Sequence, residues 1–125
     1  MKTVLICGGR DYADTKRVRE TVISLAEEGF DQIIEGGATG ADTLAREAGW
    51  YFELDVVTYW ANWGKYGKSG GGIRNHKMLT DGMPQLVVAF PGGRGTADMV
   101  GQALAYGVEV RKIDAHTKDG VRSGA

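Results

Sequence analysis

Disulfides and metal clusters are the first features that this sequence lacks. Its 125 residues contain one cysteine, Cys7, and only two prolines. A single cysteine excludes an intrachain disulfide and is typical of proteins in a reducing compartment, so we expect a cytoplasmic location. No group of cysteine and histidine residues has the spacing of metal ligands. We therefore expect no metal and no other cofactor.

Long apolar runs and an excess of one charge are also missing. No stretch approaches the about 18 apolar residues of a membrane helix, so no membrane association is expected. The formal net charge is -1, from 15 basic and 16 acidic residues. This balance makes nucleic acid an unlikely partner, because a phosphate backbone demands a basic face. A small anionic ligand needs only a local positive field, so the near-neutral net charge does not exclude such a ligand.

Glycine, in contrast, is abundant and clustered. The 20 glycines concentrate in segments 8–9, 36–40, 64–72 and 92–95. Three of these segments follow an apolar run and precede a helical pattern. Glycine between such elements allows tight turns and a close approach of the backbone to a ligand.

Apolar runs alternate with helical periodicity along the chain. We expect strands over 3–7, 32–34, 55–59, 86–90 and 108–113. Helices are expected from Asp14 or Thr15 to Gly29, and over 41–49, 73–79 and 96–106. The alternation predicts a three-layer Rossmann-like α/β domain over residues 1–113, with about five mainly parallel strands flanked by helices. Residues 114–125 are polar and without periodicity, and we expect a flexible tail there.

The glycine loops are the first candidates for a binding site. In a parallel sheet, loops that follow strands lie at the carboxyl edge, where ligands bind near the switch in strand order. Free N–H groups at the helix starts favour an anion there. The expected phosphate-binding residues are Gly8, Gly9, Arg10, Gly36, Gly37, Thr39, Gly92, Gly93, Arg94, Gly95 and Thr96.

Three carboxylates accompany these loops. Glu35 ends the second predicted strand, and either Glu35 or Asp42 is a candidate acceptor for ribose hydroxyls. Asp42 and Asp98 lie in the first turns of helices, where the helix dipole alone favours a negative charge. A capping role is therefore the alternative for both.

The fourth glycine-rich segment interleaves aromatic residues with lysines. Trp63 or Tyr66 is expected to stack on a base, and packing on a neighbouring helix or another subunit is the alternative. Arg74 and Asn75 follow at the start of a predicted helix that can direct side chains into the site. An exposed aromatic loop on a small domain also favours a homodimer or a higher homo-oligomer.

The motifs together resemble a known family. They are GGRDY at 8–12, EGGATGADTLA at 35–45, the segment 63–78, and AFPGGRGTADMV at 89–100. In this order they are similar to the YspA-related proteins of the SLOG superfamily, which also contains the LOG phosphoribohydrolases and the DNA-processing protein DprA. The resemblance runs from about residue 2 to 111. It implies a Rossmann-like fold and a nucleotide-derived ligand.

One position departs from the LOG pattern. LOG enzymes carry PGGxGTxxE, whose glutamate serves cleavage of the N-glycosidic bond in nucleoside 5′-monophosphates. This chain keeps the glycines and the threonine but has Met99 at the glutamate position. Arg74 matches the LOG arginine upstream of that loop. The resemblance therefore implies the phosphate-binding part of the LOG site without its acid.

Three functions are compatible with these observations. The leading hypothesis is a sensor or sequestering module for a nucleotide or a nucleotide-derived ligand. The second is a LOG-like N-glycosidase of nucleoside 5′-monophosphates, with Glu35 and Asp98 as candidate catalytic residues and Asp42 and Asp11 as further carboxylates. The third is nucleic-acid binding like that of DprA, against which the near-neutral charge weighs.

Overall fold

Five strands alternate with helices in the computed structural model, which describes residues 1–114. The strands are β1 (Thr3–Cys7), β2 (Gln32–Glu35), β3 (Asp55–Thr58), β4 (Leu86–Ala89) and β5 (Glu109–Lys112). The helices are α1 (Thr15–Glu27), α2 (Ala41–Tyr51), the one-turn α3 (Trp63–Tyr66), α4 (Gly70–Thr80) and α5 (Arg94–Ala105), with a 3-10 turn at Gly67–Ser69.

The strands form one parallel sheet in the order β3-β2-β1-β4-β5. The chain builds outward from β1 to β3, then crosses back to place β4 on the other side of β1. Leu5 pairs with Ile34 on one side and with Val87 on the other. The prediction of a Rossmann-like α/β fold with about five parallel strands is thus confirmed. The order reverses between β1 and β4, which is where such sheets open a crevice at their carboxyl edge.

Both faces of the central strands are covered by helices. Val4 and Ile6 belong to a core cluster with α1 and α2, whereas Leu5 and Cys7 belong to a second cluster with α4 and α5. This alternation follows from the two-residue period of a strand. The continuous apolar sequence of β1 is therefore the signature of a strand that is buried on both faces.

The first helix begins and ends where the sequence indicates. The Asp14 side chain accepts a hydrogen bond from the Arg17 N–H at 3.0 Å, which satisfies one unpaired donor of the first turn. Gly29 follows the helix with a φ of +98°. Glycine adopts this left-handed conformation without the steric cost of a Cβ atom, so it suits the chain reversal into β2.

The segment before α4 differs from the prediction. We expected a loop up to Ile73, but α3 and the 3-10 turn occupy it, and α4 begins at Gly70. The Asn62 side chain caps α3 by accepting from the Lys65 N–H at 3.0 Å. A Cβ atom on Gly70 would lie 3.0 Å from the Trp63 ring. The glycines of this segment therefore let an aromatic ring pack on the start of a helix.

Residues 115–125 are outside the part of the chain that the structure describes, and the flexible tail predicted over 114–125 falls almost entirely on them. Among the described residues, none of the helices is long and apolar enough to cross a membrane.

Candidate functional site

A cavity of about 660 Å³ opens at the carboxyl edge of the sheet, between the ends of β1 and β4. It lies at the reversal of strand order. The lining residues come from the end of β1, the loops that follow β1, β2 and β4, and the helices α2, α4 and α5. They are Cys7, Gly8, Gly9, Arg10, Asp11, Tyr12, Ala38, Asp42, Arg74, Asn75, Met78, Pro91, Gly92, Gly93, Arg94, Gly95, Thr96 and Met99.

The first glycine pair allows three chain segments to meet beside the cavity. A Cβ atom on Gly8 would lie 2.6 Å from the Ala41 Cβ, and one on Gly9 would lie 2.9 Å from the Pro91 carbonyl oxygen. The Gly9 N–H donates to that same oxygen at 2.9 Å. The β1–α1 loop is therefore joined to the β4–α5 loop, and only glycine fits at this junction.

The glycines at the start of α5 have a different surrounding. Gly93 is the N-cap residue of α5 and offers no side-chain hydrogen bond to the helix. Apart from the adjacent residues and the backbone of the helix itself, no atom lies within 4 Å of a Cβ atom built on Gly93 or on Gly95. The first N–H groups of an α-helix have no partner within the helix. Here they border an open cavity without a side chain in front of them, an arrangement that favours an anion.

Three guanidinium groups line the same cavity. Arg10 comes from the β1–α1 loop, Arg94 from the first turn of α5, and Arg74 from α4. None of the three forms a salt bridge within residues 1–114. The cavity therefore carries positive charge that no carboxylate of the described chain neutralises by direct contact.

Arg74 lies between the second glycine loop and the cavity. Its Nη1 donates to the Gly36 carbonyl oxygen, and its Nε donates to the Asn75 Oδ1 at 2.9 Å. Partial burial lowers the pKa of Arg74 from its ordinary value, while the nearby Asp42 carboxylate raises it. A guanidinium remains charged at such positions, because its ordinary pKa is far above neutral.

Asp42 is the buried carboxyl group of the cavity wall. It lies in the first turn of α2, is 6% exposed, and accepts a hydrogen bond from the Ala38 N–H at 3.1 Å. Burial, with a smaller contribution from the Glu35 carboxylate, raises the pKa of Asp42 from 3.8 to about 6, against the backbone hydrogen bonds and the Arg74 charge that lower it. A carboxyl group that titrates near neutrality beside a cavity is a frequent property of functional sites.

Glu35 does not line the cavity. It is fully buried beneath the second loop, where it accepts hydrogen bonds from the Gly37 N–H at 2.7 Å and from the Thr58 hydroxyl. Arg46 forms a salt bridge with it at 3.5 Å. These contacts hold the second loop, α2 and the end of β3 together. The structure therefore gives it a structural environment rather than access to a ligand.

The rest of the second loop also faces away from the cavity or is covered. The Arg74 guanidinium covers Gly36, and the ring of Trp60 covers Gly37, which has a φ of +75°. The Thr39 hydroxyl donates to the Arg10 carbonyl oxygen at 3.3 Å. From this loop and the start of α2, Ala38 and Asp42 are the residues that reach the cavity.

Asp98, a further predicted site residue, points elsewhere. Asp98 lies on the face of α5 that packs against α4, and its Oδ2 accepts from Asn75 and Gln102, each at 2.9 Å. The next residue, Met99, is 1% exposed and lines the cavity instead. One residue along a helix corresponds to a rotation of about 100°, which explains the difference.

The aromatic residues of the fourth segment lie outside the cavity wall. Trp63 packs on the glycines at the start of α4, as the alternative interpretation expected, and the Arg10 guanidinium lies 5.9 Å from its ring centre. Tyr66 is 39% exposed. In their place, sequence reasoning missed Tyr12 and Met78 as wall residues. Met78 was identifiable in principle, because it lies four residues after Arg74 on the same helix face.

Cys7 closes the inner end of the cavity and leads to a first prediction. Burial raises the pKa of its thiol to about 12, so the reactive thiolate is scarce at neutral pH. We expect iodoacetamide at pH 8 to leave the native protein unmodified and to alkylate it fully after unfolding in guanidinium, as measured by intact mass. Rapid alkylation of the folded protein would contradict this account of the cavity floor.

Comparison with known proteins identifies the family. The family described as YspA, cpYpsA-related SLOG matches residues 2–66, a segment that extends from β1 to α3 and includes the first two glycine loops. The chain belongs to this family. The resemblance inferred from the sequence motifs is thus confirmed. A search of curated proteins finds no significant match to this YspA-related chain.

Two solved structures share its fold. A structural-genomics target called TM1055 is 21% identical with a TM-score of 0.67, over 88% of this chain and 72% of TM1055. DNA processing protein A (DprA) from Streptococcus pneumoniae is 19% identical with a TM-score of 0.74, over 95% of this chain. The chain spans about half of DprA, at 52% of its length. At these identities the likeness is one of fold.

Proposed function

We propose that this YspA-related protein binds a nucleotide or nucleotide-derived ligand in the cavity between β1 and β4, as a sensor or sequestering module. The phosphate would lie against residues 92–96, at the start of α5. One observation carries the proposal. An uncapped, glycine-lined helix N-terminus borders the same cavity as three guanidinium groups that form no salt bridge within residues 1–114.

Electrostatics favour an anion over a neutral ligand at this position. The helix dipole and free N–H groups attract negative charge at the first turn of α5. Arg10 and Arg94 come from the two loops that flank this turn, and Arg74 approaches from α4. Guanidinium groups bind phosphate oxygens through paired hydrogen bonds. We propose that these groups bind one or more phosphates.

The remaining wall suits the organic part of a nucleotide. The cavity volume of about 660 Å³ is within the range of about 300–1,000 Å³ that is usual for small-molecule sites. Tyr12, Met78 and Met99 supply an aromatic ring and two thioethers on the wall. Such side chains can pack on a base or a ribose.

Met99 favours binding over catalysis. In the LOG pattern that the sequence resembles, this position holds the glutamate that serves catalysis. The Met99 thioether lines the cavity but has no proton to donate and no charge to stabilise an oxocarbenium-like transition state. A phosphate-binding loop combined with this substitution supports the proposal of a protein that binds its ligand without cleaving it.

Asp42 favours a second candidate function, the N-glycosidase. Its carboxyl group lines the cavity, and its pKa of about 6 is suited to proton donation near neutral pH. If the protein cleaves a nucleoside monophosphate, we propose Asp42 as the acid that protonates the departing base. Glu35 and Asp98, the candidates from the sequence, do not line the cavity.

Binding and cleavage can be measured on the same sample. We expect ADP, ADP-ribose or a cyclic dinucleotide to remain bound in native mass spectra, and adenosine, which has no phosphate, to be absent. Chromatography of the same mixtures would show no released base. Binding of adenosine as strong as that of AMP or ADP would contradict a phosphate site.

The same experiment separates the alternatives. If the protein releases adenine from AMP with turnover, and the Asp42→Asn variant does not, the enzyme hypothesis would replace the sensor hypothesis. A bound single-stranded oligonucleotide in place of nucleotides would support the third hypothesis. The native mass also measures the number of subunits, because homo-oligomerisation stays a prediction.

A further inference from the structure

A chain of hydrogen bonds runs from α5 through Asn75 and Arg74 of α4 to the second glycine loop. The Asp98 Oδ2 accepts from the Asn75 Nδ2 at 2.9 Å. The Asn75 Oδ1 accepts from the Arg74 Nε at 2.9 Å, and the Arg74 Nη1 donates to the Gly36 carbonyl oxygen. These contacts connect three segments that are distant in sequence, and Arg74 is the member that carries charge into the cavity.

We propose that Asp98 is a positioning residue, which orients the Arg74 guanidinium through Asn75. The inference rests on the proposed function, because it assumes that Arg74 contacts the anion of the ligand. It also replaces the catalytic role considered for Asp98 from the sequence. Asp98 does not contact the ligand itself; it acts through Asn75, from the face of α5 that packs on α4.

The chemistry of the two side chains makes the orientation specific. A side-chain amide donates from its nitrogen and accepts at its oxygen, whereas a carboxylate only accepts. Asp98 therefore selects the orientation in which the Asn75 nitrogen faces α5. The Asn75 oxygen must then face Arg74, where it accepts from Nε. Asn75 is 4% exposed, whereas Asp98 is exposed and Arg74 is half-buried, so both contacts are made by a buried amide to partners nearer the surface.

Loss of the carboxylate weakens this selection, because the Gly95 carbonyl oxygen, which accepts from the same Asn75 nitrogen at 3.5 Å, is a longer contact than the one to Asp98 at 2.9 Å. A reversed Asn75 amide would present its NH₂ group to the Arg74 Nε–H, and two donors cannot bond to each other. The guanidinium would then lose its Nε partner and keep only the Gly36 contact. A side chain as long as arginine has many rotamers, so the remaining contact leaves its orientation poorly defined.

Gln102 provides a matched control on the same helix. Its Nε2 donates to the same Asp98 oxygen at 2.9 Å and to the Gly72 carbonyl oxygen at 3.1 Å. It thus contributes to the packing of α4 on α5 but hydrogen-bonds neither Asn75 nor Arg74. A merely structural role of Asp98 would be shared by Gln102, while a positioning role would not.

The test compares Asp98→Ala, Asp98→Asn and Gln102→Ala in the full chain. Two readouts are measured: the affinity for ADP by calorimetry, and the ¹⁵N–¹H signal of the Arg74 side-chain Nε–H.

We expect Asp98→Ala to weaken ADP binding by about tenfold or more, since a hydrogen bond to a charged group is lost. The same variant should shift and broaden the Arg74 signal. Gln102→Ala should keep both near wild type. Asp98→Asn should recover most of the loss, because its amide oxygen still accepts from Asn75.

The outcomes separate this inference from the proposed function. Equal losses of affinity in Asp98→Ala and Gln102→Ala, with an unchanged Arg74 signal, would overturn the positioning role. If wild type fails to bind ADP but Asp98→Ala still shifts the Arg74 signal, the positioning role stands and only the ADP ligand fails. If neither variant moves the signal, Asp98 does not orient Arg74 whatever the ligand.

Discussion

Gly93→Asp is expected to abolish the binding of phosphate-bearing ligands while the protein stays folded. Gly93 is the N-cap of α5, and a Cβ atom there meets nothing within 4 Å, so the fold has room for the new side chain. Aspartate is a preferred N-cap residue and should leave the free energy of unfolding unchanged or raise it by a few tenths of a kcal/mol. Its carboxylate, however, occupies the position of the anion.

The loss of affinity should be large for two reasons. The new carboxylate accepts hydrogen bonds from the N–H groups that would otherwise bind phosphate, and it repels the phosphate charge. Together these effects are expected to weaken ADP binding by at least about 100-fold, since hydrogen bonds to charged groups contribute about 1.5–3 kcal/mol each. Calorimetric titration with ADP and chemical denaturation of the same variant measure both properties.

Gly101→Asp is the matched control for this substitution. Gly101 lies on the exposed side of the same helix, and a Cβ atom there also meets nothing within 4 Å. The change in residue and in net charge is identical, but Gly101 does not line the cavity. ADP binding should therefore remain near wild type. Equal weakening by both variants would mean that overall charge, and not the start of α5, governs binding.

Asp42→Asn is expected to stabilise the protein, and to do so only above acidic pH. The pKa of Asp42 is raised by burial from 3.8 to about 6. Between these two values the folded state retains a proton that the unfolded state has lost, so stability falls as the pH rises. Above about pH 6 the carboxyl group is ionised in the folded state as well, and the loss of folding free energy reaches its full value of no more than about 3 kcal/mol.

The asparagine variant avoids this cost and keeps an oxygen that can accept from the Ala38 N–H. Its gain in free energy of unfolding should be near zero at pH 4, grow through pH 6, and stay constant to pH 8. Urea denaturation at these three pH values measures it. A gain that is the same at pH 4 and pH 8 would show that Asp42 does not titrate as proposed.

Much of the fold follows from patterns that lie in single segments. Uninterrupted apolar runs such as 86–90 indicate strands buried on both faces, and strands that alternate with helices give parallel pairing. The same reasoning places Gly93 and Arg94 at the carboxyl edge, since a loop after a parallel strand has no other location. The start of α4 was harder to predict, because three successive glycines, 70–72, have low helix propensity. Their packing under Trp63 is a tertiary effect.

The predicted site residues that do not line the cavity have a common explanation. The sequence shows that Glu35 ends a strand, but not that Arg46 and Thr58 surround it. Likewise it places Asp98 near the start of a helix predicted from residue 96, but α5 begins at Arg94, so Asp98 lies beyond its first turn. The rotation of that helix decides whether Asp98 or Met99 faces the cavity. Such contacts depend on neighbouring elements, so single-segment patterns do not contain them. Asp42 was identified as a candidate, but its raised pKa is a consequence of tertiary burial.

The most direct test of the central claim is a titration of the ¹⁵N-labelled protein with ADP, and separately with inorganic pyrophosphate, followed by backbone amide signals. If the start of α5 binds phosphate, both compounds should shift the amides of Gly93, Gly95 and Thr96 most strongly, and ADP should add shifts at Tyr12 and Met78. Shifts concentrated outside the cavity, or none at millimolar concentrations of either compound, would contradict a phosphate site at the β1/β4 crevice.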